Sequence, residues 1–293
     1  MASKQIEGNR LLDYSTRKRI WEVLEGPAVV HLVVAMGLVM VLTPIVWTVL
    51  TSIQTDHGAR QVAYLPQEVT FTTLYNVLVT EQFYLAIYNT LIIASVTTII
   101  TVGLGTPAGY VFSRYRFPFD TYVFIAVIAA RLFPPIGLLI PYFQIIDSMG
   151  LLNTKMGIIF ANVYLWLPLV IYMMRNFFMS IPKAIDESAR VDGCTKFQSF
   201  RKVIFPLALP GFAASAILTF LFSWREFLFA FMVSADRSSM PVSVGAYRFI
   251  GDQTTLWASL SAASVLAMLP TVLIIIFFHR YIVSGLTSGA VKG

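Results

Sequence analysis

Arg131, Arg225 and Glu226 each carry a formal charge inside a long apolar run, so they are the residues best placed to act on a passing solute. A charge in hydrocarbon is costly; it faces a wet cavity or a partner and marks a solute or ion route by default. A guanidinium grips a carboxylate with two parallel hydrogen bonds, so two arginines along one route favour an anionic solute. Trp224, directly before Arg225, joins them as a candidate pathway residue. An ion pair with an unseen neighbour, or snorkelling to an interface, is the competing account of each charge. Arg225 and Glu226 are chain neighbours, and such pairs do not face each other on a helix, so they need separate partners. Other chemistry is sparsely provided for. Cys194 is the single cysteine, which excludes an internal disulfide and a cysteine metal cluster. His31, His57 and His279 lie far apart with no ligand-like spacing. No G-x-x-x-x-G-K-[ST] loop is present, so the chain does not hydrolyse ATP through that motif, and no cofactor is expected on it.

The elements that must position these residues follow from composition. Apolar residues make up 57% of the 293, charged residues 12%, and mean hydropathy is +0.74. A water-soluble globule cannot hide that much apolar surface, so lipid is the solvent for much of the chain. A helix needs about 20 apolar residues to cross a bilayer. Six segments qualify: 27–53, 82–113, 121–146, 156–174, about 206–235 and 253–279. The third is interrupted only by Arg131 and the fifth only by Arg225 and Glu226. The runs are too long and too continuously apolar for barrel strands, so the expected fold is an all-α polytopic membrane protein with six transmembrane helices in a single domain.

Orientation follows from the Lys/Arg count in the flanks. With the N-terminus inside, the inner segments hold 15 Lys and Arg and the outer loops four: Arg60, Lys155, Arg237 and Arg248. Both termini are therefore expected on the cytoplasmic side. The net charge of +6 belongs to this asymmetry and implies no nucleic-acid partner. Residues 1–26 hold an N-terminal cytoplasmic segment whose 14–24 stretch reads either as an amphipathic helix on the inner surface or as a solvated basic tail. The outer loop 55–82 reads as an irregular cap.

The inner loop 180–206 is unlike the others. Ile181, Ile185 and Ala189 recur at helical spacing opposite Lys183, Glu187 and Arg190, which predicts one short amphipathic helix. Gly193 breaks it, as a glycine past a helix C-terminus does. Thr195 and Gln198 form a capping-box pattern for a second short helix with Phe197, Phe200 and Val203 on its apolar face, and Pro206 marks the next span. Periodicity alone fits equally a helix resting on the membrane and one docked in a partner's groove.

Glu187-Ser188-Ala189-Arg190-Val191-Asp192-Gly193, followed by Phe205-Pro206, resembles the EAA loop of ATP-binding-cassette importer permeases. The Glu, second Ala, Gly and Pro fall in register; Ser188, Val203 and Phe205 are mild departures. The resemblance extends over nearly the whole chain and is nearest to the carbohydrate branch, especially its maltose-permease-G-like members. Its pieces are Asn89-Thr90, the 110–118 stretch YVFSRYRFP, Trp224-Arg225-Glu226-Phe227-Leu228, Ala262-Ala263-Ser264-Val265, Leu269-Pro270 and the closing residues 285–293. At Arg225 the family pattern has Asn. The resemblance implies that the 180–206 loop is the coupling helix docked on a cytoplasmic ATPase, through Asp186, Glu187, Ser188, Ala189, Asp192, Gly193, Phe197 and Pro206, with Gly289 and Lys292 of the tail reaching the same subunits. It further implies two ATPase subunits carrying ATP and Mg, a second permease subunit in a heterodimer, an external solute-binding protein, and a place in the bacterial inner membrane. The chain itself is then a non-catalytic permease moving an oligosaccharide, with an acidic one such as a uronate favoured by the two arginines, by alternating access. The alternative is an ion-coupled secondary transporter, for which Glu226 is the one intramembrane carboxylate and no inverted repeat is visible.

Overall fold

The computed structural model describes residues 26–61, 66, 68–251 and 254–287. Four long apolar helices carry it: α1 (Pro27–Ser52), α3 (Phe83–Arg114), α6 (Lys155–Ser180) and α13 (Trp257–Thr287). A short helix α2 (Thr72–Tyr75), continued by a π turn over Asn76–Thr80, precedes α3. The third expected span is not one rod. Helix α4 (Asp120–Ala129) ends in a 3-10 turn at Ala130–Leu132, and the chain turns by 90° before α5 (Leu139–Ser148). Pro134 and Pro135 supply the reason: neither has an N–H to continue a helix, and proline disfavours helical backbone in the residue before it.

Between α6 and the next long helix lie α7 (Lys183–Val191), α8 (Lys196–Ser199), a π turn over Phe200–Ile204 and α9 (Phe205–Leu207). Then α10 (Leu209–Trp224) leaves at 74° to the segment before it. The fifth expected span also stops early. Helix α10 ends at Trp224, and α11 (Leu228–Val233) and α12 (Val242–Tyr247) are separate short pieces before α13. Among the described residues four helices are thus long and apolar enough to cross a membrane, or up to six spans if each bent pair counts as one.

Helix α3 is the centre of the bundle, packed on α6, α10 and α12. Its approach to α6 runs through Gly105-x-x-x-Gly109, a pattern that lets backbones meet. A Cβ on Gly105 would lie 2.6 Å from Val170 Cγ1, and one on Gly109 2.8 Å from the Arg175 backbone nitrogen and from Met174 Cβ. Gly211 on α10 similarly faces the Phe177 ring of α6 at 2.4 Å from a built Cβ. Helix α1 stays exposed along most of its length, packs against α13, and buries only Thr51 and Ser52 at its end. Asp56 follows it and ties the two: its carboxylate accepts from the Ala258 and Ser259 amides and the Ser259 hydroxyl at 2.6–3.2 Å, capping the start of α13.

The Asn89-Thr90 pair does similar work on the same end of the molecule. Asn89 Nδ2 donates to the Arg237 and Met240 carbonyls, and Thr90 Oγ1 accepts from the Val242 amide at 2.9 Å. These bonds hold the irregular chain between α11 and α12 against the bundle.

The glycine contact can be tested directly. Gly109→Ala forces backbone atoms of α3 and α6 apart and should cost about 1–3 kcal/mol of overpacking. Gly103→Ala, which meets nothing within 4 Å, should not. Thermal melting of the purified protein should drop for the first variant alone; equal melting temperatures would show that the α3–α6 approach is not tight.

Candidate functional site

Two sites emerge, one at each kind of sequence signal. The first is built on Asp186, on the inward face of α7. Arg114 Nε, from the last residue of α3, lies 2.7 Å from Asp186 Oδ2, and its Nη2 donates to the Ile181 carbonyl at 2.9 Å. Tyr110 OH and Ser199 Oγ both donate to Asp186 Oδ1, at 3.0 and 2.7 Å. One carboxylate therefore joins α3, α7 and α8. The pair is well shielded, with side-chain exposures of 6% for Arg114 and 14% for Asp186. Around it, Tyr110, Phe178, Ile181, Ile204 and Ala208 are buried in one apolar cluster, with Ile185, Phe200 and Val203 packed on it.

The local sequence explains why α7 and α8 hold this shape. Gly193 sits at φ +87°, a left-handed conformation that closes α7 and turns the chain. Thr195 accepts from the Gln198 amide while Gln198 Oε1 accepts from the Thr195 amide, so the expected capping box is formed. One expectation about the faces fails. Phe200 and Val203 turn inward, but Phe197 is 68% exposed. The π turn beginning at Phe200 widens the helix and shifts its register, so Phe197 no longer shares their side.

The loop residues thus divide. Asp186 and Ala189 face the bundle; Glu187, Ser188, Asp192, Gly193, Phe197 and Pro206 are exposed, beside Val191 at 87%. Gly289 and Lys292 lie outside the described residues. Arg114, Tyr110 and Ser199 are functional partners that the pattern of the loop alone does not reveal; Arg114 stands inside the 110–118 stretch, and its pairing with Asp186 spans 72 residues.

The second site gathers the arginines. Arg131 Cζ lies 5.1 Å from the centroid of Trp166, Trp166 stacks on Phe222 at 4.7 Å and 26°, and Arg225 Cζ lies 4.8 Å from the Phe222 centroid. The order is cation, ring, ring, cation. Both guanidiniums are exposed, and among the described residues neither has a carboxylate within 4.0 Å. The rings are held from behind. Fully buried Asn162 accepts through Oδ1 from Trp166 Nε1 at 3.1 Å and from Ser223 Oγ at 2.9 Å, and donates to the Ile158 carbonyl. Tyr164 OH donates to the Ala130 carbonyl at 3.0 Å, fixing the turn that presents Arg131.

Trp224 and Glu226 take a different place from the arginines. Trp224 is buried and its Nε1 donates to the Ala267 carbonyl of α13. Both Glu226 oxygens accept from backbone amides, Phe229 at 2.8 Å and Ala230 at 3.1 Å, so this carboxylate caps α11. Glu226 is 9% exposed and does not meet the arginines. Trp166 and Phe222 carry no sequence signal beyond being aromatic in apolar runs; Asn162, an amide in an uncharged span, is the clue that was available.

Breaking the Asp186 junction should be costly because it strands a buried cation. Asp186→Asn should lower stability by about 3 kcal/mol, and Arg114→Leu combined with Asp186→Leu should recover much of that. Amide exchange over Lys183–Val191 should rise sharply in the single variant. Unchanged protection there would show that the ion pair does not hold α7.

Residues 102–288 match the family described as binding-protein-dependent transport system inner membrane component. The trehalose transport system permease protein SugB of Mycobacterium tuberculosis is 34% identical over 94% of this chain and 98% of its own length. The trehalose/maltose transport system permease protein MalG of Thermococcus litoralis is 32% identical over 87% of this chain and 93% of its own. Among solved structures, a bacterial ABC transporter involved in the import of the acidic polysaccharide alginate has a chain that superposes with a TM-score of 0.72 at 22% identity, covering 90% of this chain and 97% of that one. That likeness speaks for the fold. The chain belongs to the inner membrane permease components of binding-protein-dependent ABC transporters and is a non-catalytic transport subunit.

Proposed function

We propose that this permease imports an acidic oligosaccharide across the bacterial inner membrane, as half of a heterodimeric pore driven by two ATPase subunits that carry ATP and Mg. The sugar class is supported by relatives described as carrying trehalose and trehalose/maltose. The acidic preference rests on one observation: Arg131 and Arg225 flank the Trp166–Phe222 pair with no carboxylate partner among the described residues. Flat aromatic faces cover the apolar faces of sugar rings, and guanidinium edges hold carboxylates in pairs of hydrogen bonds. Trp166 stands near the middle of α6, and both arginines stand at helix breaks, where a transporter places its solute site. Leu132, Phe133 and Ile136 beside Arg131 are 63–81% exposed, a face for the second permease to close. An external binding protein delivers the solute, and alternating access moves it.

The 180–206 loop is assigned to the cytoplasmic side by the Lys/Arg asymmetry, and with it both termini. Its outward face, Glu187, Ser188, Val191 and Phe197, is the ATPase-docking surface, with the inward face anchored by Asp186. An ion-coupled mechanism is less well supported, because Glu226, the carboxylate it would use, is already engaged by two amides.

Two measurements test this. A buried carboxylate–guanidinium bond contributes about 1.5–3 kcal/mol, or about ten- to a hundredfold in an equilibrium. Arg225→Asn should depress uptake of a uronate oligomer by that factor and spare a neutral one; uniform loss together with lowered thermal stability would make the arginine structural. Glu187→Lys should abolish solute-stimulated ATP hydrolysis in the assembled complex while the permease inserts and melts normally. Normal stimulation would remove the docking assignment.

A further inference from the structure

A second cationic feature lies at the loop end of the molecule, apart from the solute site. The ends of α3 and α6 and the start of α7 enclose a cavity of about 180 Å³ whose lining includes Arg114, Arg116, Arg175 and Lys183. Its charges do not cancel. Arg114 is paired with Asp186 and Arg116 shares Asp120 at 3.1 Å, the two carboxylates that face the cavity's cations. Arg175 and Lys183 have no carboxylate within 4.0 Å among the described residues. Arg175 Cζ instead lies over the Phe124 ring, 4.4 Å from its centroid. A cation–π contact neutralises no charge, so this guanidinium keeps its positive charge for an oxyanion.

The rim is apolar. Met179, in the lining, is 55% exposed, and Phe119 and Tyr122 nearby at the start of α4 are 73% and 72% exposed. Exposed aromatics at the level where basic residues begin mark the boundary between hydrocarbon and headgroups. Basic pockets between helices on this side of a membrane take anionic headgroups.

We infer that this cavity binds the phosphodiester headgroup of an anionic phospholipid of the inner leaflet, with Arg175 and Lys183 as its free cations. These apolar side chains favour a lipid over a soluble phosphate, since an ion in water gains nothing from Met179 of the lining or from Phe119 and Tyr122 at the start of the helix whose Phe124 meets Arg175. The site shares Arg114, Ile181 and Pro182 with the base of α7, so its occupant would touch the anchor of the docking loop. The inference rests on the proposed orientation of that loop and is independent of the solute carried.

Native mass spectrometry of the full transporter, reconstituted in phosphatidylcholine nanodiscs with phosphatidylglycerol added, tests it. Each cation near a membrane surface contributes about fivefold to binding an anionic lipid. Arg175→Gln combined with Lys183→Gln should weaken phosphatidylglycerol retention by about twenty-fivefold, and Lys202→Gln, on the same end but outside the cavity, should retain it. Equal retention in all three proteins overturns the site. Displacement of the lipid by millimolar inorganic phosphate would assign the cavity to a soluble anion instead. Loss of the ATPase chains from the double variant, with lipid retained, would assign it to a protein contact. Lys183→Cys labelled from outside intact cells by an impermeant maleimide would overturn the orientation, separately from the lipid chemistry.

Discussion

Hydrocarbon offers no hydrogen bonds, so a chain that interrupts its helices within a membrane must satisfy the broken backbone from its own side chains. Each unmet group would cost several kcal/mol, and among the described residues three helix breaks interrupt the apolar runs. At the first break Pro134 and Pro135 have no N–H to satisfy, Tyr164 takes up the Ala130 carbonyl and the Gly137 amide turns back to Pro134. At the bend before α10, Pro206 and Pro210 bracket Ala208, whose amide is shared between the Ile204 and Phe205 carbonyls. After Trp224, Glu226 caps α11 with both carboxylate oxygens and Ser243 donates to the Glu226 carbonyl at 2.6 Å. The breaks are affordable only with these partners in place.

What the breaks deliver is position. A cation on a continuous lipid-facing helix is costly, whereas a helix end can turn its side chain toward a cavity or a protein neighbour. Arg131 and Arg225 occupy two such ends, and α6 runs uninterrupted between them with Trp166 at its middle. The rigid α6 fixes one ring, α10 fixes the other, and buried Asn162 holds Trp166 on its own helix while accepting from Ser223 of α10. Charge comes from the broken elements and geometry from the intact one.

The sequence was informative where its signal is local. The α7 helix, the Gly193 stop and the Thr195–Gln198 capping box all follow from periodicity or short-range chemistry, and the four long helices start within a few residues of expectation, although α6 and α13 run on to Ser180 and Thr287, past the expected 174 and 279. The signal failed where the answer depends on distant partners. Hydropathy cannot distinguish a straight span from one bent by 90°, since both have the same apolar composition. Glu226 looked like a pathway charge because the amides that occupy it belong to a short helix invisible to a span-length window. Nothing local marks Trp166 and Phe222 as a pair, since they meet only where α6 and α10 lie side by side, and the Arg114–Asp186 pair joins residues 72 apart in sequence.

That ion pair also explains how the proposed docking surface can be both exposed and stiff. Helix α7 has only nine residues, too few to be stable in water by itself. Its outward side chains must be left free for a partner, so it cannot be stabilised from that face. All of the fixing therefore falls on the inward face, where Ala189 packs and Asp186 collects bonds from Arg114, Tyr110 and Ser199. Arg114 and Tyr110 stand one turn apart at the end of α3, the helix whose glycines lock it onto α6. A displacement of α7 imposed from its outer face must then move the end of α3 or break a shielded ion pair. Because α3 and α6 are too closely packed to slide independently, the motion reaches α6, on which Trp166 is carried.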